Sequence, residues 1–272
     1  MTANHPAFLG LSESAGARRD GPEFLLVRLT LAATDAECQQ LTTLLSADEQ
    51  ERAARRLPDV RRRAVVSRGR LRQLLGCLLG IPPQTVPLAT NAHGKPVLGG
   101  NHADLLGFNV SHSGDEGLIA VTRQGAVGID LEIRKRIQDA GWARLMAGTI
   151  FSPEELGRWQ ALPEHVASAA ILDAWVAKEA VFKAAGTGIG DRLRQCRLPL
   201  DLPRVALAAP GRYCRCRLVS VGVPSAAASG HEQFGLTLLD IGVGCHAALA
   251  CRASSAMVTV RSFRDVVHES LA

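Results

Sequence analysis

Residues 175–183, Trp-Val-Ala-Lys-Glu-Ala-Val-Phe-Lys, read as part of one helix, and their pattern restricts how the rest of the chain can close around it. Trp175, Glu179 and Lys183 recur every fourth residue, and Lys178 and Phe182 stand one position before the last two, so the five share a stripe. A stripe of apolar anchors and charges needs a fold that brings water or a charged ligand to the helix, because unpaired charges are costly to bury. Upstream, Val127-Gly128-Ile129-Asp130-Leu131-Glu132 alternates as a strand, with Asp130 and Glu132 on one face and Ile129 and Leu131 on the other. Taken singly, these groups have ordinary readings: a surface i,i+4 pair for Glu179 and Lys183, and a solvated strand edge for the two acids. Taken together, Asp130, Glu132 and Glu179 make an oxygen-rich set suited to Mg²⁺, which keeps several waters and usually shares its site with substrate phosphates.

A second strand is expected over Phe108-Asn109-Val110-Ser111-His112-Ser113, ending in a turn at Gly114-Asp115. Ser111 and His112 are chain neighbours and so point to opposite faces. They are not a nucleophile and base, and no Gly-x-Ser-x-Gly elbow occurs in the chain. The segment offers hydroxyl and imidazole donors near a turn, which suit phosphate oxygens. Asn91-Ala-His93-Gly94-Lys95-Pro96 adds a further cation on a turn, followed by a short apolar run.

In order and spacing, five segments resemble the Sfp-type 4'-phosphopantetheinyl transferases. They are Gly94-Lys95-Pro96, Phe108-Asn109-Val110-Ser111-His112, Val127-Gly128-Ile129-Asp130-Leu131-Glu132, Phe151-Ser152-Pro153-Glu154-Glu155 and Trp175-x-x-Lys178-Glu179-x-x-x-Lys183. Leu45–Glu49 and Arg68–Gly76 extend the likeness upstream, so it covers roughly residues 24 to 252. The resemblance implies an α+β fold, a pseudo-dimer of two similar halves with the active site in the cleft between them. The corresponding division is a tail over 1–22, an N-terminal coenzyme A-binding half over 23–126, a C-terminal half with the metal site and catalytic helix over 127–255, and an extension over 256–272.

The implied reaction moves the phosphopantetheine arm of coenzyme A onto a serine of a carrier protein and releases adenosine 3',5'-bisphosphate. Positioning and charge neutralisation should supply most of such a phosphoryl transfer. By the same resemblance, Asp130, Glu132 and Glu179 hold Mg²⁺ against the pyrophosphate, and Lys183 is a second cation there. Glu179 is also the expected general base, acting directly or through a water on the metal, so two roles fall on one carboxylate. His112 and Ser111 are expected on phosphate oxygens and Lys95 near the nucleotide end. Lys178 is expected to pair with a carboxylate such as Glu155, and Trp175 to be a packing anchor.

Arginines crowd residues 52–72, which taken alone would suit nucleic acid. A helical pattern qualifies this: Ser46 and Glu49 form a capping box, Pro58-Asp59 restarts the helix, and Leu71, Leu74, Leu75, Leu78 and Leu79 give a core stripe. Most of these arginines then lie on solvated faces, and the family resemblance selects Arg52 and Arg63 for the 3'-phosphate of coenzyme A. Glu49 and Ala64 depart from it, standing where relatives can place a coenzyme A contact.

At 272 residues the chain can bury one large core or two smaller ones. Its net charge of +5 suits anionic partners, coenzyme A and an acidic acyl-, peptidyl- or aryl-carrier domain among them. Aromatic residues are only 4% and no base-reading motif is present, which argues against nucleic acid. The seven cysteines lack metal-ligand spacing and read as reduced thiols. With no membrane-spanning run and no leader pattern, the expectation is a cytoplasmic monomer serving fatty-acid, polyketide or nonribosomal-peptide synthases. The rival reading is a non-catalytic protein that binds coenzyme A or nucleic acid. Gly186-Thr187-Gly188-Ile189-Gly190 imitates a nucleotide loop but follows a helix, where C-capping explains it. Strands are expected around 204–221 and 234–252, completing the second half's sheet, with a loop over Pro224–Gly230.

Overall fold

Three helix starts carry the same local signature. Thr34, Ser46 and Ser152 each accept a hydrogen bond from the backbone of a Glu three residues on, and the carboxylates of Glu37, Glu49 and Glu155 bond back to the capping residue's own N–H. The computed structural model describes residues 21–134, 140–199, 201–207, 213–224 and 230–269. All but the last two residues of the expected tail, and most of the Pro224–Gly230 loop, lie outside the described residues. In chain order the elements are β1 (Glu23–Thr30), α1 (Asp35–Thr42), α2 (Ala47–Ala54), α3 (Pro58–Leu79), β2 (Leu88–Thr90), β3 (Pro96–Leu98), β4 (Gly107–Ser113), β5 (Glu116–Thr122) and β6 (Val127–Ile133). There follow α4 (Ala140–Ile150), α5 (Pro153–Gln160), α6 (Glu164–Ala185), β7 (Arg204–Ala206), β8 (Tyr213–Arg217), β9 (Val219–Pro224), β10 (His231–Asp240), β11 (Cys245–Cys251), β12 (Ser255–Ser262) and α7 (Phe263–Glu269).

Two main sheets result. One runs β4-β5-β1-β12-β8, and the other β6-β11-β10-β7 with β9 also on β10. Alternation along the strands gives each sheet two apolar faces. Leu25, Val27 and Leu29 of β1 pack under α1 to α3, while Phe24 and Leu26 face Ile129, Leu131 and Leu249 of the other sheet. A third apolar cluster joins α4 and α6 to Phe234, Leu236, Ala248 and Ala250. The chain is therefore layered helices, sheet, sheet, helices, an α+β architecture of two halves.

The second half lends strands to the first sheet. Residues 256–272 were expected as an extension, but β12 pairs parallel with β1, Glu23 opposite Met257, and sits inside the first sheet. Ala256 and Val258 are fully buried there, so this strand is core. β8, expected in the second sheet, pairs instead with β12. Proline restarts α3 at its first turn, and Leu71, Leu74, Leu75 and Leu78 are buried as the stripe required. Gly186 ends α6 in the left-handed conformation, φ +70°, as a C-cap.

Candidate active site

The edges of the two sheets meet along β4 and β6. Asn109, Ser111 and Ser113 alternate on one face of β4, and each accepts a hydrogen bond from a β6 backbone N–H: Ile129 to Asn109 Oδ1 at 2.8 Å, Leu131 to Ser111 Oγ at 3.3 Å and Ile133 to Ser113 Oγ at 3.2 Å. Side chains thus satisfy donors that an edge strand leaves open. The hydroxyls pass the bonding on. Ser111 donates to Asp130 Oδ1 at 2.6 Å and Ser113 to Glu132 Oε2 at 2.5 Å, which orients both carboxylates.

α6 lies across this strand because residue 128 is glycine. A Cβ at Gly128 would stand 1.9 Å from the Ala180 carbonyl oxygen and 2.4 Å from Ala184 N, so only glycine admits the helix backbone this close. That approach brings Lys183 Nζ to 2.5 Å from Asp130 Oδ1, 3.2 Å from Ser111 Oγ and 3.9 Å from Glu179 Oε2. Glu179 is 7% exposed. Burial pushes its carboxyl up to about 7, the Asp130 and Glu132 charges add to this, and Lys183 opposes it. Asp130 and Glu132 are therefore close enough for their charges to act on Glu179.

The helix stripe is split. Glu179 and Lys183 face β6, whereas Lys178, fully buried, faces α5 and pairs with Glu155 Oε2 at 2.9 Å. Its ammonium also donates to the carbonyls of Ile150 at 2.7 Å and Leu193 at 3.1 Å, and Leu198 N–H donates to Glu155 Oε1 at 2.9 Å. This fully bonded pair is the one expected for Lys178. Phe182 is core and Trp175 packs against the α4–α6 cluster.

On the other face of β4, His112 opens into a cavity of about 220 Å³ together with Arg52, Arg56, Arg68 and Ser67, walled by Glu49 and Ala64. Arg52 and His112 thus share a cationic pocket. Glu49 lies within it already paired, to Arg72 at 2.7 Å and Arg68 at 3.6 Å. Arg63 is not brought there, for its Nε lies 3.0 Å from Asp115 Oδ1. Ser111 faces Asp130 and not this pocket. Lys95 Nζ donates to two backbone carbonyls, Val127 at 2.9 Å and Lys183 at 2.6 Å. Asn109, Ser113, Gly128 and Arg68 matter to the site without having been singled out. The alternation of Asn109, Ser111 and Ser113 was the available signal.

The donor set suits a hard divalent cation. Asp130 Oδ2 is buried and has no hydrogen-bond partner among the described residues, and the repulsion that Asp130 and Glu132 exert on Glu179 is what a cation would relieve. Among the described residues no three side chains are already gathered at metal-binding geometry, and Lys183 occupies the other Asp130 oxygen. No helix among the described residues is long and apolar enough to cross a membrane.

Comparisons with known proteins converge on one group. The family model described as the 4'-phosphopantetheinyl transferase superfamily matches residues 126–218, and that of the 4'-phosphopantetheinyl transferase N-terminal region matches residues 31–124. The chain is 37% identical over 169 residues to the 4'-phosphopantetheinyl transferase HetI of Nostoc sp., covering 61% of this chain and 70% of that protein. It is 30% identical over 181 residues to a phosphopantetheinyl transferase of Thraustochytrium sp., 62% of each chain. It is also 30% identical over 166 residues to the human L-aminoadipate-semialdehyde dehydrogenase-phosphopantetheinyl transferase, 57% of this chain and 52% of that one.

Proposed function

The chain belongs to the 4'-phosphopantetheinyl transferases, and from that premise we propose that it transfers the 4'-phosphopantetheine group of coenzyme A to a serine of an acyl-, peptidyl- or aryl-carrier domain in a Mg²⁺-dependent reaction. The observation that carries the reading is the convergence of Asp130, Glu132, Glu179 and Lys183 where β6 meets α6. In the proposed reaction the serine oxygen bonds to the phosphorus that bears the pantetheine arm. The pyrophosphate bridge breaks, and adenosine 3',5'-bisphosphate leaves. Asp130, Glu132 and Glu179 would hold the cation. Magnesium, when bound there, would disperse the charge developing on the leaving phosphate.

Glu179 is also the carboxylate proposed to take the serine proton, directly or through a water on the metal, so both roles fall on it. Lys183 keeps a cation beside Asp130 and would neutralise a phosphoryl oxygen. Arg52 and His112 would hold phosphate groups of coenzyme A in the cavity under β4, with Arg68 as a neighbour. Ser111 supports the site through Asp130. The same reading places the enzyme in the cytoplasm as a monomer serving fatty-acid, polyketide or nonribosomal-peptide assembly.

The test is release of adenosine 3',5'-bisphosphate from coenzyme A in the presence of an apo-carrier. Glu179→Gln and Asp130→Asn should each lower the rate by about 10²-fold or more while the fold is retained. Wild-type rates in either variant would remove that carboxylate from the mechanism.

A further inference from the structure

The hairpin of β2 and β3 belongs to the first half of the chain, yet its turn is bonded to the end of the helix that carries Glu179 and Lys183. Asn91 builds the turn: its Oδ1 accepts from the N–H groups of His93 and Lys95, both at 2.9 Å, and Gly94 takes φ +81°. Asn91 Nδ2 then donates to the Gly186 carbonyl at 2.9 Å. Lys95 Nζ donates to the Lys183 carbonyl at 2.6 Å and to the Val127 carbonyl at 2.9 Å.

The last carbonyls of a helix have no partner within it and sit at the negative end of its dipole. An ammonium and an amide from another part of the chain fill that need here. The second acceptor, Val127, opens β6 three residues before Asp130. One ammonium group therefore ties the backbone of residue 183 to the strand whose Asp130 receives the Lys183 side chain at 2.5 Å. We propose that Lys95, seated by Asn91, is a positioning residue that clasps the last turn of α6 against the start of β6 and so sets the distance between Lys183, Glu179 and Asp130. Lys95 acts through this clasp and not as a ligand of the nucleotide.

Burial is consistent with the role, since the lysine is drawn down to about 8 by loss of water and then by the Lys183 charge. The inference rests on the proposed transfer reaction for its kinetic arm, whereas its other two arms are independent of activity.

The experiment uses the full chain with Lys95→Met, Lys95→Arg, Asn91→Ala and the Lys95→Met/Asn91→Ala pair. Three quantities are read: kcat for transfer, the Kd of coenzyme A by calorimetry, and hydrogen exchange of the amides of residues 183–187. Lys95→Met should lower kcat by about 10- to 100-fold, leave the coenzyme A Kd within about twofold, and speed exchange at the helix end. Asn91→Ala should do the same more weakly, Lys95→Arg should restore part of kcat, and the double variant should lose less than the two effects multiplied. A rise of about tenfold or more in the coenzyme A Kd with kcat retained would make Lys95 a nucleotide ligand and overturn the proposal. Unchanged exchange at 183–187 would overturn it as well. Should Lys95→Met fail to fold, Asn91→Ala decides by the same exchange and binding readouts. An inactive wild type would count against the transfer reading alone, leaving exchange and Kd to judge the clasp.

Discussion

Ser111 has one hydroxyl and three partners: it accepts from the Leu131 N–H of the neighbouring sheet and from the Lys183 ammonium, and donates to Asp130. Ser111→Ala should therefore act through the carboxylate, lowering kcat by about tenfold and raising the Mg²⁺ needed for half activity, with KM for coenzyme A within about twofold. Steady-state kinetics check this, and a raised KM at unchanged kcat would place the hydroxyl on the ligand instead. Lys95 gives a pH signature. Its ordinary value near 10.5 falls to about 8 in the fold, so between those values the folded chain has lost a proton that the unfolded chain retains, and stability rises with pH. Wild type should gain on Lys95→Met by up to about 3 kcal/mol between pH 7.5 and 10 in urea melts. A constant difference would show that Lys95 is not buried as a cation. Charged residues interrupting apolar patterns made Asp130, Glu132, Glu179 and Lys183 legible in the sequence. The bonds that Ser111 and Lys95 make within the fold were not legible, because spacing along a strand does not say which other strand lies beside its edge.

α6 and β6 are the elements on which the site depends, and Gly128 is where they touch. Gly128→Ala would press a methyl group into the Ala180 carbonyl. It should cost about 1–3 kcal/mol in urea melts and lower kcat out of proportion, because the helix must move and carries Glu179 and Lys183 with it. Full activity with unchanged stability would mean that the backbone contact is not needed. Helix starts and strand faces were readable because capping boxes and period-two alternation are local properties. The helix stripe was less so. Lys178 and Glu179 are adjacent in the chain and about 100° apart around the axis, so each met a different neighbour, α5 for one and β6 for the other. The stripe set only how many charges had to find partners.

At the scale of the molecule, β12 crosses back into the first sheet and pairs there with β8, so the first half of the chain does not complete its sheet alone. No local pattern announced this, since a parallel pairing between residues 23 and 257 leaves no trace in spacing. The net charge of +5 also acts at this scale. If it steers an acidic carrier, kcat/KM for that carrier should fall about tenfold as salt is raised from about 0.05 to 0.5 M, while kcat holds. A flat salt profile would dismiss steering. The most direct test of the account is the intact mass of an apo-carrier protein after incubation with this chain and coenzyme A, with and without Mg²⁺. The account predicts a gain of one phosphopantetheine group only when the metal is present. An equal gain after thorough chelation would contradict the role given to Asp130, Glu132 and Glu179, and no gain on acyl-, peptidyl- and aryl-carriers alike would contradict the proposed transfer.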